Sequence, residues 1–185
     1  MQSVIVQYRM NTVAGAATIS PVNHADLEPI AQLARDIWYL HYPGIITVSQ
    51  IDYMLAQRYQ PDAISLQIES GEAWWDKLEV NSRLAGFASY ESGADLLSMK
   101  LDKLYVHQRV MRRGYGSALL HHVEEQSRCR GYRSLYLQVN KGNSASIAFY
   151  RRSGFTVKGS VKVDIGNQFF MDDFVLSKSL TGSDT

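Results

Sequence analysis

The sequence predicts a mixed α/β fold in which helices cover a central, mostly antiparallel sheet. Segments with the two-residue apolar repeat of strands are interspersed with segments that carry the three-and-four apolar spacing of helices. Their order is a strand, helices, three strands, a helix, a strand, a helix and a final hairpin, which is typical of a helix-covered sheet. The 185 residues suit one domain. We expect a single domain over 1–185, with a loose arm over 1–15, where no period is present.

The composition excludes several classes of protein. Hydrophobic residues make up 45% and charged residues 20% of the chain, as in folded globular proteins rather than disordered ones. The single cysteine, Cys129, excludes an intramolecular disulfide, and no residue set has metal-ligand spacing, so no metal is predicted. Neither a membrane-spanning apolar run nor a signal peptide is present. We therefore expect a cytoplasmic protein with no membrane partner.

Charge is unevenly distributed although the formal net charge is only +1. Residues 100–153 contain 11 Lys/Arg and 3 Asp/Glu, whereas residues 26–95 contain 4 and 11. A basic half favours an anionic ligand and an acidic half a cationic one, although two solvated faces of opposite sign give the same counts. A nucleic-acid surface is a further alternative, but the net charge is near zero and no helix carries a recognisable reading motif. We expect no nucleic-acid partner.

The first strand is predicted to be short and to lead into a helix. Pro21 ends a strand over 17–20. Asn23 or Asp26 then caps a helix that runs to about Tyr39, because apolar residues recur on one helical face.

Two further helices and two strands are expected next. Ser49 is the predicted cap of the second helix, and Pro61 suits the start of a third over 62–69, where the alternation also permits a strand. Strands follow over 73–80 and 83–91, joined by a polar turn.

The middle of the chain carries an irregular strand. Over 98–107 the apolar phase slips between Leu101 and Leu104, which predicts a β-bulge. A helix over 114–130 follows and is stopped by Gly131.

The last third is predicted to be strand, helix and hairpin. A strand covers 134–140, and Asn143 caps a helix that Gly154 stops. The chain then forms a hairpin with strands over 155–163 and 168–177.

One segment has the chemistry of a phosphate-binding turn. After the strand that ends at Val106 come the basic residues Arg109, Arg112 and Arg113, and then Gly114-Tyr115-Gly116 at a helix start. Free backbone N–H groups at a helix N-terminus bind phosphate oxygens, and glycines let the ligand approach. The Gly-Lys-Ser/Thr of a Walker A loop and the third glycine of a dinucleotide fingerprint are absent. A plain tight turn remains an alternative.

A second segment, at 143–155, helps to choose between a phosphate-binding turn and a plain tight turn. The run from Asn143 to Phe155 reads Asn-Ser-Ala-Ser-Ile-Ala-Phe-Tyr-Arg-Arg-Ser-Gly-Phe. With the glycine turn at 111–116, it resembles the GNAT superfamily, the Gcn5-related N-acetyltransferases. The later motif of that family reads approximately Asn-x-x-Ala-x-x-Phe-Tyr-x-x-x-Gly-Phe. The resemblance covers about 17–180 and implies a GNAT-like acyl-CoA N-acyltransferase fold.

The resemblance implies an acetyl-CoA-dependent N-acetyltransferase that acts by direct attack of a primary amine. A silent acyl-CoA-binding or regulatory module is the alternative, because Met111 stands at the family's Gln/Arg position and Arg112 at a common glycine. The pyrophosphate would rest on the loop over 111–117, and the pantetheine arm would pair with the strand ending at Val106. The implied cofactor contacts are Leu104, Tyr105, Val106, Met111, Arg112, Arg113, Gly114, Tyr115, Gly116, Ser117, Asn143 and Tyr150.

Catalytic roles follow from the same resemblance. Tyr150 would protonate the departing thiolate, since a tyrosine hydroxyl keeps its proton at pH 7. The backbone N–H of Val106, freed by the bulge, is the expected oxyanion donor. Asp102 is the expected general base, with a salt-bridged surface role as its alternative and Glu91 as a weaker choice.

The acceptor site is expected at the end of the first helix. Trp38, Tyr39 and Tyr42 form an aromatic cluster that can hold a cation, although core packing explains the same residues. The element order and the last third resemble bacterial polyamine-acetylating members. The expected acceptor is therefore a small-molecule amine such as a polyamine, or a peptide amine. A homodimer is a family-level expectation.

Overall fold

The computed structural model describes residues 8–12 and 15–181, and it places eight strands of this part of the chain in one sheet. The strand order across the sheet is β1-β2-β3-β4-β5-β6-β8-β7. Among the described strands, β5 and β6 are the one pair of neighbours that run parallel. The predicted mixed, mostly antiparallel fold class is confirmed. The strands are β1 (Tyr8–Thr12), β2 (Gly15–Pro21), β3 (Ala73–Val80), β4 (Arg83–Ser92), β5 (Ser98–Val106), β6 (Ser134–Asn140), β7 (Thr156–Gly166) and β8 (Phe169–Ser179). The α-helices are α1 (Leu27–His41), α2 (Val48–Arg58), α3 (Pro61–Glu69), α4 (Tyr115–Cys129) and α5 (Ser144–Arg152).

The first strand differs from the loose arm that the sequence predicts. β1 pairs antiparallel with β2, from Tyr8 opposite Ile19 to Thr12 opposite Gly15. The other residues of that predicted arm, 1–7 and 13–14, lie outside the described part of the chain. Pairing with the edge of β2 makes β1 a strand, and a local apolar period is not needed for such pairing.

Both predicted capping residues, Asn23 and Asp26, take part in the cap before the first helix. Asn23 Oδ1 accepts the Ala25 N–H at 2.9 Å, and the Asp26 carboxylate accepts the Asn23 N–H at 2.9 Å. This reciprocal pair closes a short 3-10 turn, after which α1 starts at Leu27.

The cap predicted for the second helix is wrong by two residues. Thr47, not Ser49, precedes the helix, and its hydroxyl accepts the Gln50 N–H at 3.2 Å. Both residues are good caps, but the backbone of Thr47 is extended whereas Ser49 already lies inside α2. The third helix forms over Pro61–Glu69, so the helical alternative for that segment is confirmed.

The bulge predicted in β5 is confirmed, and the additional residue is Asp102. Ser89 pairs with Lys103 whereas Tyr90 pairs with Leu101, so Asp102 has no partner on β4. One additional residue reverses the side-chain alternation of a strand. Leu101 and, after the bulge, Leu104 and Val106 therefore pack in the cluster beneath α4, while Lys103 and Tyr105 point to the α1 side.

The parallel pairing of β5 and β6 stops close to the bulge. The described pairs run from Ser98–Ser134 to Leu101–Leu137, and β6 then continues its pairing with β8 as far as Asn140. The end of β5 thus separates from β6 and leaves a gap in the sheet that the helices α1 and α5 flank. None of the helices in the described residues is both long and apolar enough to span a membrane.

Gly86→Ala tests how closely β4 approaches the end of β5. A Cβ at Gly86 would lie 2.5 Å from the Tyr105 carbonyl oxygen, so β5 must shift. We expect the free energy of unfolding to fall by about 1–3 kcal/mol in urea denaturation. The matched control is Gly159→Ala in β7, where no atom lies within 4 Å of the new Cβ. Its effect is expected within about 0.5 kcal/mol, and equal losses for the two variants would contradict the interpretation.

Candidate active site

A cleft of about 190 Å³ opens where β5 and β6 separate. Its walls come from β5, β6 and β8 of the sheet and from α1, α2 and α5. The site residues predicted from sequence that line it are Trp38, Tyr42, Asp102, Leu104, Tyr105, Val106, Met111, Asn143 and Tyr150. Residues 108 positions apart in the chain, Tyr42 and Tyr150, thus meet around one opening.

The backbone of β5 presents hydrogen-bonding groups to this cleft. His107 donates its N–H to the Ala85 carbonyl of β4 at 2.8 Å, so the backbone of His107 faces β4. Successive residues of a strand direct these groups alternately to opposite sides, which turns Leu104 and Val106 toward the gap. The bulge at Asp102 sets this phase, because one additional residue reverses the alternation, and the separation of β5 from β6 then leaves the Val106 N–H on the open side.

The loop before α4 contributes Met111 to the cleft lining, whereas the other predicted contacts of this loop, Arg112, Arg113, Gly114, Tyr115, Gly116 and Ser117, are not part of that lining. Gly114 is the N-cap with φ +84°, and the first helical bond runs from the Ala118 N–H to the Gly114 carbonyl at 3.0 Å. The N–H groups of Gly116 and Ser117 precede this bond and point along the helix axis, where an anion is stabilised.

Three loop residues differ in what they offer a ligand. Arg112 and Arg113 are exposed and place two positive charges before the helix. Arg112 has φ +61°, a left-handed conformation that glycine adopts most readily. Glycine is the residue that the GNAT resemblance implies at this position. The side chain of Tyr115 is buried in the core with 1% exposure, so its predicted cofactor contact is limited to the backbone.

Tyr150 and Asn143 are held by α5. Burial, together with nearby Tyr42, raises the pKa of the Tyr150 hydroxyl above its ordinary value, so the group keeps its proton at neutral pH. Asn143 caps α5 by accepting the Ser146 N–H at 3.2 Å, and its amide donates to His41 Nε2 at 3.0 Å. These contacts fix the start of α5 against the end of α1.

Asp102, the predicted general base, lies in an ion-pair cluster. Arg58 donates to both of its carboxylate oxygens, at 2.7 and 3.0 Å, and Lys103 donates to it as well. Burial alone would raise the pKa of Asp102, but the positive charges of Lys103 and Arg58 outweigh it and hold this pKa well below its usual range. A carboxylate so stabilised accepts protons poorly. The general-base assignment is therefore corrected to a structural ion pair, the alternative that the sequence left open.

The three aromatic residues predicted to bind the acceptor separate. Trp38 and Tyr42 line the cleft with ring centroids 4.4 Å apart, and the Tyr42 hydroxyl is hydrogen-bonded to the Tyr105 hydroxyl at 3.1 Å. Tyr39 instead bonds to Asp52 of α2 at the surface and is not part of the cleft lining. It follows Trp38 by one residue, about 100° around the helix, which turns it away from the cleft.

Sequence reasoning missed Asp173. This residue of β8 lines the cleft with 4% exposure, and its Oδ1 is buried with no hydrogen-bond partner among the described residues. Burial and the neighbouring Asp172 raise its pKa to about 6. The available signal was a carboxylate at an inward position between the apolar residues Met171 and Phe174.

Metal binding has no candidate in the described part of the chain. Its His, Cys, Asp and Glu side chains form no group of three or more that could hold an ion.

Comparison with known proteins gives concordant matches. Residues 27–155 match a family model described as the acetyltransferase (GNAT) family. Over 154 residues the chain is 27% identical to a spermidine N(1)-acetyltransferase of Thermoplasma acidophilum, which covers 80% of this chain and 90% of that protein. Over 79 residues it is 35% identical to a ribosomal protein bS18-alanine N-acetyltransferase of Salmonella typhimurium, covering 43% and 52%.

A solved structure has the same fold. The PaiA N-acetyltransferase of Thermoplasma acidophilum, crystallised in complex with coenzyme A, superposes with a TM-score of 0.76 at 23% identity. The superposition covers 88% of this chain and 98% of that one.

Asp102→Asn tests the structural interpretation of the ion-pair cluster. The variant leaves Arg58 and the buried Lys103 without their negative partner, and we expect the free energy of unfolding at pH 7 to fall by about 2–4 kcal/mol. The pKa of Asp102 is lower in the folded state, so its stabilisation is present above about pH 4 and is lost as pH falls toward the folded-state pKa. Urea denaturation at pH 7 and pH 3 measures both effects. Glu125→Gln, at an exposed position of α4, is the control, and equal stabilities of Asp102→Asn and wild type would contradict the interpretation.

Proposed function

Because the chain belongs to the acetyltransferase (GNAT) family, we propose that it transfers the acetyl group of acetyl-CoA to a primary amine by direct attack. The observation that carries the proposal is the cleft between the separated ends of β5 and β6. It combines strand-edge N–H groups on one wall with a protonated tyrosine hydroxyl, Tyr150, on another.

The residues around the cleft fit the chemistry of acetyl-CoA. Its pyrophosphate needs donors and positive charge, which the N–H groups of Gly116 and Ser117 and the exposed Arg112 and Arg113 supply. Its amide-containing arm needs strand-like partners, and the backbone of β5 at Leu104 and Val106 has the free edge for them. The thioester supplies the activated acetyl group.

Two groups of the protein then serve the transfer. The Val106 N–H is positioned on the cleft edge to stabilise the negative charge that develops on the acetyl oxygen. Tyr150 donates its proton to the thiolate as the carbon–sulfur bond breaks. The amine must be neutral to attack, because an alkylammonium, with a pKa near 10, has no free electron pair.

The acceptor proposed is an aliphatic polyamine. Its support is the relative named as a spermidine N(1)-acetyltransferase, which matches over most of both chains. The cleft also suits a cation, since the rings of Trp38 and Tyr42 line it together with the carboxylate of Asp173. The relative that acts on a ribosomal protein matches only about half of its own length, so a peptide amine is the comparison substrate in the test.

Gly114→Asp tests the cofactor loop. The new carboxylate would repel the pyrophosphate at the start of α4, so calorimetric affinity for acetyl-CoA is expected to fall at least tenfold. Gly131→Asp is the matched control, because Gly131 follows the other end of α4 with φ +87°, close to the +84° of Gly114, and neither new Cβ meets an atom within 4 Å. Both variants share the backbone strain, so equal loss of binding in the two would contradict the proposed location.

Tyr150→Phe tests the proton donor. Removing the hydroxyl is expected to lower kcat for acetylation of spermidine at least tenfold, while the Kd for acetyl-CoA stays within about twofold. Tyr132→Phe is the control, since the Tyr132 hydroxyl bonds to Ser92 at 2.6 Å away from the cleft. Unchanged kcat in Tyr150→Phe would remove this residue from the mechanism.

The same assay separates transfer from silent binding. Wild-type protein that binds acetyl-CoA but releases no CoA with spermidine, other polyamines or an N-terminal peptide amine would contradict the proposed transfer and favour the acyl-CoA-binding alternative.

A further inference from the structure

The carboxylate of Asp173 is buried in the cleft, and no cation among the described residues forms an ion pair with it. Its backbone pairs with Asn140 of β6 on one side and Val161 of β7 on the other, so the residue is fixed inside the sheet. Its side chain has 4% exposure, and Oδ1 lacks a hydrogen-bond partner among the described residues. A buried carboxylate is unfavourable unless a cation or a donor reaches it. A ligand that enters the cleft can supply that partner.

The cations close to Asp173 are engaged by other carboxylates. Arg58 gives both of its described carboxylate hydrogen bonds to Asp102. Lys141 contacts Asp172 at 2.5 Å. Neither cation makes a described contact with Asp173, although both lower its pKa from a distance. The negative charge of Asp173 is therefore available to a cation from outside.

Asp173 lines the same cleft as the groups proposed to serve the transfer. Its cleft is the one that Val106 lines from β5 and Tyr150 from α5. The Tyr42 hydroxyl, which also lies in this cleft, has its pKa raised in part by the charge of Asp173. A positively charged group bound to Asp173 would thus share one cleft with the proposed oxyanion donor and proton donor.

We propose that Asp173 is the acceptor subsite: its free carboxylate oxygen binds the ammonium group of the amine and takes one proton from it. This inference rests on the proposed function and names the group that receives the substrate. The neutral amine nitrogen then forms the bond to the acetyl carbon, and the carbon–sulfur bond breaks. The thiolate receives the proton of Tyr150, and the second proton lost by nitrogen restores Tyr150 through water. The proton on Asp173 leaves to solvent.

The electrostatics of the two cleft carboxylates support the choice of Asp173 over Asp102. Burial raises the pKa of Asp173 to about 6, with Asp172 adding to the shift and Arg58 and Lys141 opposing it. The group is thus ionised at neutral pH and more basic than an ordinary carboxylate. Asp102, in contrast, has its charge compensated by Lys103 and Arg58, which hold its pKa well below its usual range.

The test is calorimetric titration of spermidine into protein saturated with CoA, which measures amine binding without turnover. Asp173→Asn is expected to weaken spermidine binding at least tenfold while affinity for CoA stays within twofold. Asp172→Asn is the matched control, since its side chain is 49% exposed and contacts Lys141 at the surface. Its affinity for spermidine is expected to stay within twofold of wild type.

Two measurements of pH dependence test the subsite without comparing the spermidine affinities of the variants. Wild-type affinity for spermidine is expected to fall at least fivefold between pH 7.5 and pH 5, as Asp173 gains its proton. The kcat/KM for spermidine is expected to show an acid limb near pH 6 in wild type, to keep the limb at a somewhat lower pH in Asp172→Asn because the charge of Asp172 raises the pKa of Asp173, and to lose the limb in Asp173→Asn. The charges of Asp172, Arg58 and Lys141 act on Asp173, and Asp173 acts on Tyr42. The other titratable side chains that line the same cleft are His41, Lys100, Asp102, Tyr105 and Tyr150.

The outcomes separate this inference from the proposed function. Equal spermidine affinity in Asp173→Asn and wild type, or no spermidine binding by wild type, would overturn the subsite. If Asp173→Asn also loses CoA binding, the wild-type pH dependence decides, and a flat dependence overturns the inference. Asp173-dependent binding without acetylation would leave the subsite standing and reject the transfer. If Asp173→Asn acetylates spermidine at the wild-type rate, the proposed transfer stands and the subsite is rejected.

Discussion

The end of the parallel pairing between β5 and β6 is the feature on which the site depends. The last pair joins Leu101 to Leu137, and the bulge follows immediately at Asp102. A continuous ladder would consume the backbone groups of Leu104 and Val106, and no opening would exist in the middle of the sheet. Because β6 keeps its partner β8, the strands separate without leaving β6 unpaired. The opening therefore leaves unpaired backbone groups on the facing edges of both β5 and β6 without detaching β6 from the sheet, and a ligand can use those groups.

The bulge has a second consequence, which concerns the side chains of β5. By reversing the alternation, it sends Leu104 and Val106 to the cluster beneath α4 and Lys103 toward the helices on the opposite face. Lys103 is buried there, with its ammonium 4.8 Å from the Trp75 ring centroid. Asp102 compensates this charge together with that of Arg58. The carboxylate on the bulge is thus required to stabilise the fold around the cleft, which leaves it unsuited to proton transfer.

The cofactor loop relies on backbone geometry more than on particular side chains. Two positive-φ residues, Arg112 and Gly114, turn the chain into α4 and set the direction of its first N–H groups. Arg112 adopts a conformation that costs a non-glycine residue about 1 kcal/mol, and its exposed side chain adds positive charge beside the helix N-terminus. The substitution of a common glycine by arginine is therefore compatible with the turn. Met111, half exposed at the cleft, has no side-chain donor for the polar contact that the resemblance implies for a Gln or Arg at this position.

Features that depend on a few neighbouring residues could be predicted from the amino-acid sequence. The order of the elements from β2 onward, the cap of α5 at Asn143, the bulge between Leu101 and Leu104 and the glycine turn at α4 all follow from local periodicity and capping. The environment of the carboxylates, in contrast, is set by the folded chain, because the pKa of a carboxyl group depends on charges that the fold brings together from distant positions. Asp102 meets Arg58 across 44 residues of chain, and Asp173 reaches the cleft because β8 pairs with β6 rather than ending the sheet. Local pattern carries no information about such contacts, which is why the sequence selected the ion-paired aspartate as the base and did not identify the unpaired one.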